Sequence, residues 1–447
     1  MWKWILACLL ICRPAYAQRT ATAFANEVQP AVWAITMVML HDVVNPAAAA
    51  RYYAYCTAPA YEIITQHNGN MPRMSSFVKS YPAVTISGAK DDYNYEAAAL
   101  YAILETGRLM LPSGFMLEEQ EEKMLRFFKK EKLSQKEINR SVAVAKEVVA
   151  QIIGWSKADH YNQLSARIRY TPIKGEGYWY PTPPAYIEAV EPHWRTIRPM
   201  VIDTCDAFKP LPPVPFSKDT TSAFYALNKE VYEAVLHPKK EELVIASFWD
   251  CNPFAVSTAG HMAIGFKKIT PGGHWMNIAG IAAKKANLDF DNTVLLHTLT
   301  AVTEMDAFIS CWDEKYRSNR IRPETYINRY IDVEWKPLLQ TPPFPEYTSG
   351  HSVVSTAAAQ VLAYMMGDSF SFTDDSEIMF EIQPRSFTSF MQAAAEAAIS
   401  RLYGGIHFRD AIENGQQQGM NIANAIIAKL KAAGVQPCVH NSMARYM

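Results

Sequence analysis

The chain has 447 residues, of which 49% are hydrophobic and 19% are charged, and its formal net charge is -1. This length is too great for one small hydrophobic core and indicates at least two packed units. The near-neutral charge gives no reason to expect binding to nucleic acid or to an anionic membrane surface, so an anion site would need locally concentrated positive charge.

The start of the chain has the order of a secretory signal. Lys3 precedes an apolar stretch at 4–11, and the small-residue segment 15–17 follows it. We therefore expect residues 1–17 to be a cleaved signal peptide and the mature protein to be secreted or periplasmic. A membrane anchor is the alternative, but the apolar stretch is shorter than the ~18 residues that span a bilayer. No later stretch reaches that length, so we expect no integral membrane segment after cleavage.

Two of the seven cysteines, Cys8 and Cys12, belong to the signal, and lipid attachment at Cys8 is a weaker alternative because the apolar stretch continues past it. The other five are Cys56, Cys205, Cys251, Cys311 and Cys438. Because five is odd, at least one thiol stays unpaired within a monomer, while a single disulfide after export stays open. The chain has no C-x-x-C pair, so its sequence gives little support to a zinc or redox motif.

The first half of the chain is predicted to be helical. Apolar and alanine-rich spacing predicts helices over about 24–40 and 91–111. The charged, amphipathic segment 117–160 is typical of exposed helices.

Ten prolines then fall between 172 and 215, too closely spaced for a helix to continue through them. We expect a long ordered connection across the surface. It divides the mature chain into an N-terminal helical region, 18–205, and a C-terminal domain, 206–447, that carries the candidate site.

Helical spacing returns in the second half. A helix is predicted from Asp291 through Lys315, ending near Pro323, and a proline-rich loop follows at 341–351. Further helices are predicted at 354–365, 387–398 and 408–433. Strand signals are sparse, so the sequence predicts an all-α protein built from two four-helix-bundle-like halves.

The first segment with potential chemistry contains Lys315 and Arg322, which are seven positions apart. On a helix this spacing is two turns, so both side chains can point to one side. Lysine supplies a compact charge and arginine a planar fork that matches an oxyanion. The alternative is a solvated basic face, because Arg317 and Arg320 lie nearby.

The second segment is Ser349-Gly350-His351, at the start of a predicted helix. Gly350 allows the backbone to approach a ligand, and free N–H groups at a helix start favour anions. Ser349 adds a hydroxyl, and His351 can transfer protons. The alternative is an ordinary capped helix start.

The third segment contains Arg401, His407 and Asp410. Arg401 adds a second planar guanidinium that can bind an oxyanion. His407 can act as a nucleophile or as a metal ligand through one ring nitrogen. Asp410, three residues further on, can accept from the other nitrogen. The alternative is a surface histidine beside a carboxylate.

The three segments together describe one pocket, with three cations, backbone donors and two imidazoles that have different tasks. Their order resembles the superfamily shared by vanadium-dependent haloperoxidases and type-2 phosphatidic acid phosphatases, which has K-x6-RP, PSGH and SR-x5-H-x3-D. Thr348 replaces the proline of the second motif. In the third motif the aspartate, Asp410, comes one residue early, which puts its orienting role in question.

The haloperoxidase branch is similar over most of the mature chain. Trp312 and Phe344 look like the aromatic residues that this branch has beside the oxyanion. The linker around Trp179 and Trp194 and the Phe248-Trp249 region also look like those of bacterial members. The resemblance implies a fold like that of vanadium chloroperoxidase.

The resemblance also implies a cofactor and a mechanism. Lys315, Arg322 and Arg401 would neutralise vanadate oxygens, with hydrogen bonds from Ser349 and from the Gly350 N–H. His407 would bond vanadium, and His351 would take a proton from hydrogen peroxide, which then oxidises a halide.

Two alternatives stay open at this point. The same ligands serve a soluble acid phosphatase, with no cofactor and a phosphate ester as substrate, in which His407 attacks phosphorus and His351 protonates the leaving group. A non-catalytic oxyanion-binding protein needs the cations but not His407. The sequence makes no prediction of the halide or of the oligomeric state.

Overall fold

The computed structural model describes residues 22–259 and 262–439, and the regular structure of these ranges is almost entirely helical. This confirms the all-α prediction. The expected signal peptide, residues 1–17, lies outside the described residues, so the signal peptide and the secreted or periplasmic location stay predictions.

Between residue 22 and the long connection the structure has five α-helices. They are α1 (Ala25–His41), α2 (Pro46–His67), α3 (Tyr95–Met110), α4 (Glu118–Lys130) and α5 (Gln135–Ser156). The helices that follow the connection are α6 (Ala223–Leu236), α7 (Lys240–Phe248), α8 (Pro271–Lys285), α9 (Phe290–Ser318), α10 (Pro323–Tyr330), α11 (Gly350–Met366), α12 (Phe390–Tyr403) and α13 (Arg409–Ala432). Two short antiparallel hairpins pair β1 (Ala255–Ala259) with β2 (Met262–Phe266), and β3 (Phe372–Asp374) with β4 (Arg385–Phe387).

Helix α2 was not predicted from the sequence, although its start is well specified locally. The Asn45 side chain caps it by accepting from the Ala48 N–H, and Pro46 occupies the first helical position, where proline costs no hydrogen bond. Nearly the whole circumference of α2 is buried. A helix that is buried all round shows no apolar stripe, which explains why its period was not visible.

Helix α9 lies at the centre of the helical packing. It contacts α1 and α2, which precede the proline-rich connection, and α8, α11 and α13, which follow it. Helix α11 in turn packs against α12 and α13. One described helix, α9, is long and apolar enough to cross a membrane, and its most apolar stretch is wholly buried inside the protein.

The proline-rich connection is irregular, as predicted, with one short 3₁₀ turn at Trp194–Thr196. Helix α9 holds it in place, because the Asp306 carboxylate accepts the backbone N–H groups of Met200, Val201 and Ile202. Nothing in the structure tests a domain boundary at 205/206, so that division stays a prediction.

The five cysteines outside the signal are all free thiols in the described part of the chain. The possible disulfide is therefore not formed in this structure.

Candidate active site

The second and third predicted segments line one cavity, together with Trp312 and Phe344. Helix α11 contributes Gly350 and His351 to its wall, and helix α12 contributes Arg401. His407, in the short turn between α12 and α13, completes this side. The packing of α11 against α12 and α13 brings these groups together.

Lys315 and Arg322 also converge, but not for the reason given by helical spacing. Helix α9 ends at Ser318, and Asn319 takes the left-handed conformation with φ of 48°. Arg322 lies in extended backbone just before α10. The expectation of one continuous helix over both residues is therefore wrong, and a reversal of the chain brings the two cations to the site.

Arg322 is completely buried and is held by the residues around the cavity. Its Nε donates to the Phe344 carbonyl at 2.9 Å and its NH1 to the Ile406 carbonyl at 2.9 Å. NH1 also lies 3.2 Å from His407 Nε2, and NH2 has no hydrogen-bond partner in the part of the chain that the structure describes. Burial lowers the pKa of this guanidinium to about 10.

Lys315 is also completely buried. Its ammonium donates to the carbonyls of Thr348 (2.5 Å), Pro345 (3.1 Å) and Glu346 (3.1 Å). Burial, together with the nearby charge of Arg322, lowers the pKa of the ammonium to about 7. Lys315 thus holds the loop that leads into α11, in addition to its predicted role toward an anion.

Arg401 points toward the same cavity from α12. Its Nε donates to Ser400 Oγ at 2.9 Å and its NH2 to the Trp249 carbonyl at 2.5 Å. Among the described residues, no carboxylate forms an ion pair with Lys315, Arg322 or Arg401, whereas the neighbouring Arg320 pairs with two. Three buried basic side chains therefore lie at the cavity or against its lining residues, without a carboxylate partner among the described residues.

The start of α11 supplies backbone donors. Ser349 is its N-cap and accepts from the Ser352 N–H at 3.3 Å. Gly350 lines the cavity, and a Cβ added to it would touch the Trp312 ring at 3.8 Å and Lys315 Cε at 4.0 Å. A helix start with free N–H groups beside a cavity is suited to an anion.

His351 is positioned as a neutral base. Burial, with the charge of Arg401 nearby, holds its pKa well below the ordinary value. Its ring forms a hydrogen bond with the backbone of Trp249, while the buried Nε2 has no partner within residues 22–259 and 262–439. One ring nitrogen is thus fixed, and the other is free to accept a proton.

His407 is oriented by a carboxylate that the sequence analysis did not name. Its Nδ1 lies 2.9 Å from Glu346 Oε1, which also accepts the Phe408 N–H at 2.9 Å. Burial, with Arg322 nearby, holds the pKa of His407 well below its ordinary value. Because Glu346 can only accept, Nδ1 carries the proton and Nε2 keeps its lone pair on the side of Arg322.

Asp410 does not contact His407, which corrects the expected hydrogen bond. Its carboxylate receives both terminal nitrogens of Arg320, at 2.5 and 2.8 Å, and the Val214 N–H at 3.1 Å. Arg320 also pairs with Glu346. Asp410 therefore reaches His407 only through Arg320 and Glu346, and its assignment as a catalytic residue stays a prediction without direct geometry.

One feature of the sequence could have indicated that a residue other than Asp410, such as Glu346, orients His407. The aspartate of the third motif is displaced by one residue, which indicates that another group orients the histidine. Glu346 lies three residues before Ser349 and is fully buried. A carboxylate at a buried loop position needs donors, and Glu346 has them in Arg320, the Phe408 N–H and His407.

Trp312 and Phe344 lie together beside the cations, as predicted. Their ring centroids are 4.9 Å apart, and both residues line the cavity. Lys315 Nζ is 5.0 Å and Arg322 Cζ 5.1 Å from the Phe344 ring. The two rings cover the cations and restrict their access to water.

Comparison with known proteins identifies the family. A family model described as the second helical-bundle domain of VCPO matches residues 295–434. A solved structure, described as that of the first bacterial vanadium-dependent iodoperoxidase, is 43% identical with a TM-score of 0.86, covering 93% of this chain and 98% of that one. The chain belongs to the vanadium-dependent haloperoxidase family and, like its relatives, is an enzyme.

More distant structures share the fold. The holo and apo forms of a bacterial vanadium-dependent chloroperoxidase are each 12% identical, with TM-scores of 0.63 and 0.64. They cover 88% and 87% of this chain, and the matches span 93% and 95% of those chains. A search of curated proteins gave no match.

Proposed function

We propose that this protein is a haloperoxidase that oxidises a halide with hydrogen peroxide at a vanadate bound through His407. The observation that carries the proposal is the set of three buried cations, Lys315, Arg322 and Arg401, that no described carboxylate neutralises. Buried unpaired charge is costly, and an anion in the cavity would offset that cost.

The groups at the cavity fit a tetrahedral oxyanion. The Arg322 NH2 has no partner among the described residues and needs an acceptor, and Gly350 exposes the helix start to the cavity. Arg401 and the Ser349 hydroxyl would complete the donors. Since Nε2 of His407 keeps its lone pair, it is the atom that would bind vanadium.

The protein's own groups would position and deprotonate the reactants. Bound vanadate would supply the electrophilic centre at which peroxide becomes reactive towards halide. His351 Nε2, unprotonated at neutral pH, would accept a proton from incoming hydrogen peroxide. Glu346 holds the proton on Nδ1 of His407, so Nε2 stays available. Trp312 and Phe344 would exclude water from the cations.

Iodide is the first halide to test, because the 43% identical relative is described as an iodoperoxidase. We also propose that residues 1–17 direct the protein out of the cytoplasm, on the strength of the signal-like order of the sequence. Neither point follows from the geometry of the cavity.

The test compares two activities of one preparation. Metal-free protein is assayed with orthovanadate, hydrogen peroxide and iodide or bromide, and separately with a chromogenic phosphate ester. We expect vanadate-dependent halide oxidation, which His407→Ala abolishes. We expect His351→Gln to keep vanadate affinity and to lose turnover. Strong ester hydrolysis without halide oxidation would instead support the acid phosphatase alternative.

A further inference from the structure

A second cluster of ligand-type side chains lies beside the cavity and takes no part in the proposed reaction. Cys251 follows α7, His274 is in the first turn of α8, and Glu377 is in the loop between β3 and β4. One ligand atom of each residue lies within 4.8 Å of the other two, and all three residues are buried.

The separations of these ligand atoms are compatible with a shared metal ion, and only the Cys251–His274 contact has the length of a hydrogen bond. Cys251 Sγ lies 3.4 Å from His274 Nδ1, and Glu377 Oε1 lies 3.4 Å from the same nitrogen. A direct N–H···O bond is normally about 2.7–3.2 Å long. Ligands of a tetrahedral zinc ion, with bonds of about 2.0–2.3 Å, lie about 3.4–3.6 Å apart. The Glu377 separation is too long for a direct N–H···O bond, and both separations match the ligand spacing around a tetrahedral ion.

Glu377 gives an independent indication that a cation belongs here. Only 1% of its surface is exposed, and neither carboxylate oxygen has a hydrogen-bond partner among the described residues. Asp374, three residues earlier, is equally buried but accepts from the Ser376 N–H and hydroxyl. A buried carboxylate without donors is costly, and a cation between Glu377 and its neighbours would relieve that cost.

His274 is already oriented as a metal ligand. Its Nε2 lies 2.7 Å from Asp374 Oδ2, so the proton resides on Nε2 and the lone pair of Nδ1 faces Cys251 and Glu377. Carboxylate–histidine pairs of this kind orient the imidazole in many zinc sites. The Trp249 ring stacks on His274 with centroids 4.6 Å apart and fixes its plane.

We propose that Cys251, His274 and Glu377 bind a zinc ion, with Asp374 as the positioning carboxylate. A thiolate, an imidazole and a carboxylate suit zinc, and three protein ligands leave its fourth position to water or another donor. The two anionic ligands neutralise the ion's charge. The site ties together three segments that are far apart in sequence, so no short motif could reveal it.

The zinc site would stabilise one wall of the oxyanion cavity. Cys251 itself lines that cavity, and the adjacent Trp249 carbonyl accepts from Arg401. Holding the segment 249–251 therefore holds the acceptor that directs Arg401. The proposal stands on its own geometry and does not depend on halide oxidation.

The first test is the metal content of the untagged protein, expressed with added zinc and dialysed against metal-free buffer. We expect about one zinc per chain by mass spectrometry, and loss of most of it in Cys251→Ser and in Glu377→Gln. Cys56→Ser is the matched control, because Cys56 is an equally buried thiol in α2 outside the cluster. It should retain the zinc.

Cobalt provides a spectroscopic readout. Replacement of zinc by Co²⁺ should produce a thiolate-to-cobalt charge-transfer band that is present in the wild type and in Cys56→Ser and absent in Cys251→Ser. If Cys251→Ser does not fold, the cobalt spectrum of the wild type and the zinc content of Glu377→Gln still test the proposal. A folded wild type that takes up neither metal would overturn the proposal, and so would another metal at the same stoichiometry. His274 would then be an imidazolium balanced by Asp374 and Glu377.

Discussion

The position of one proton on His407 decides whether Nε2 can bind a metal or attack phosphorus. Glu346 accepts from Nδ1 and at the same time from the Phe408 N–H, so the ring and the turn that carries it are fixed together. Arg320 holds Glu346 in turn, and Asp410 holds Arg320. The orienting effect should weaken along this chain of contacts.

We predict that Glu346→Gln lowers vanadate affinity and halide oxidation by roughly 10- to 100-fold, the range for groups that orient metal ligands. The glutamine amide can still accept from Nδ1, but it lacks the charge that favours this tautomer and that pairs with Arg320. Vanadate dissociation constants and steady-state rates measure both effects.

Asp410→Asn is the matched control, because Asp410 also pairs with Arg320 but does not touch His407. Asp410→Asn should lose clearly less vanadate affinity and halide oxidation than Glu346→Gln. A larger loss in Asp410→Asn would mean that the aspartate of the third motif orients His407 after all.

The motif residues could be predicted from the sequence because the chemistry demands particular residue types there. An oxyanion needs cations, and a vanadium ligand or nucleophile needs a histidine. The acceptor for His407 Nδ1 is less constrained, since any nearby carboxylate or carbonyl can serve. Glu346 comes from a loop that is distant in sequence, so only the three-dimensional structure identifies it.

At the level of the helices, the site depends on how closely α13 crosses the start of α11. A Cβ at Gly415 would lie 2.9 Å from Ser352 Cβ and 3.1 Å from the Ser349 carbonyl oxygen. A Cβ at Gly419 would lie 2.3 Å from the Val353 carbonyl oxygen. The two glycines allow backbone contact that places Ser349 and Gly350 at the cavity.

We predict that Gly415→Ala displaces the start of α11 and lowers vanadate affinity roughly tenfold, because small misplacements of binding groups are costly. Gly419→Ala should lower the free energy of unfolding by about 1–3 kcal/mol through overpacking. Isothermal titration with vanadate and urea unfolding measure the two effects.

Gly154→Ala in α5 is the control for helix propensity, because nothing lies within 4 Å of its added Cβ. Gly154→Ala should raise the free energy of unfolding by up to about 1 kcal/mol and leave vanadate affinity unchanged. If Gly415→Ala behaved in the same way, the close crossing of α11 and α13 would not position the site.

The packing of α4 on α3 should make stability depend on pH. Burial, reinforced by the like charge of Glu105, raises the pKa of Glu121 from 4.5 to about 7. Between these values the folded state binds more protons than the unfolded state, so this group lowers stability as the pH rises from about 4 to 7. We predict that Glu121→Gln removes that decline, which urea unfolding at pH 5 and pH 8 would reveal.

Glu137 is a control, because its pKa is shifted in the opposite direction and its effect on stability should therefore change with pH in the opposite direction. In the capping box of α5, hydrogen bonds from the Ser134 hydroxyl and N–H lower its pKa. Its contribution is present above the unfolded pKa and is lost as the pH falls, so Glu137→Gln should lose stability at pH 8. Parallel pH profiles for wild type and Glu121→Gln would contradict this account of α3 and α4.

Most helices with one apolar face were predictable, and the failures have physical causes. Helix α2 is buried on all sides and therefore has no periodic stripe. Helix α9 ends at Ser318 because Asn319 takes the left-handed conformation. Neither a proline nor a glycine at that position indicates this end in the sequence.

The whole molecule brings together charges that are distributed along a nearly neutral chain. Its formal net charge is -1, yet three cations meet at one buried cavity without carboxylate partners among the described residues. The helical packing around α9 makes this possible, because α9, α11 and α12 each deliver a part of the site. The composition alone could not predict this local concentration.

The most direct test of the account is equilibrium binding of orthovanadate to metal-free protein. We predict one vanadate per chain, competition by phosphate, and a large loss of affinity in His407→Ala, which removes the proposed bond to vanadium. A wild type that binds no vanadate, or a His407→Ala protein that binds it equally well, would contradict the assignment of the cavity as a vanadate site.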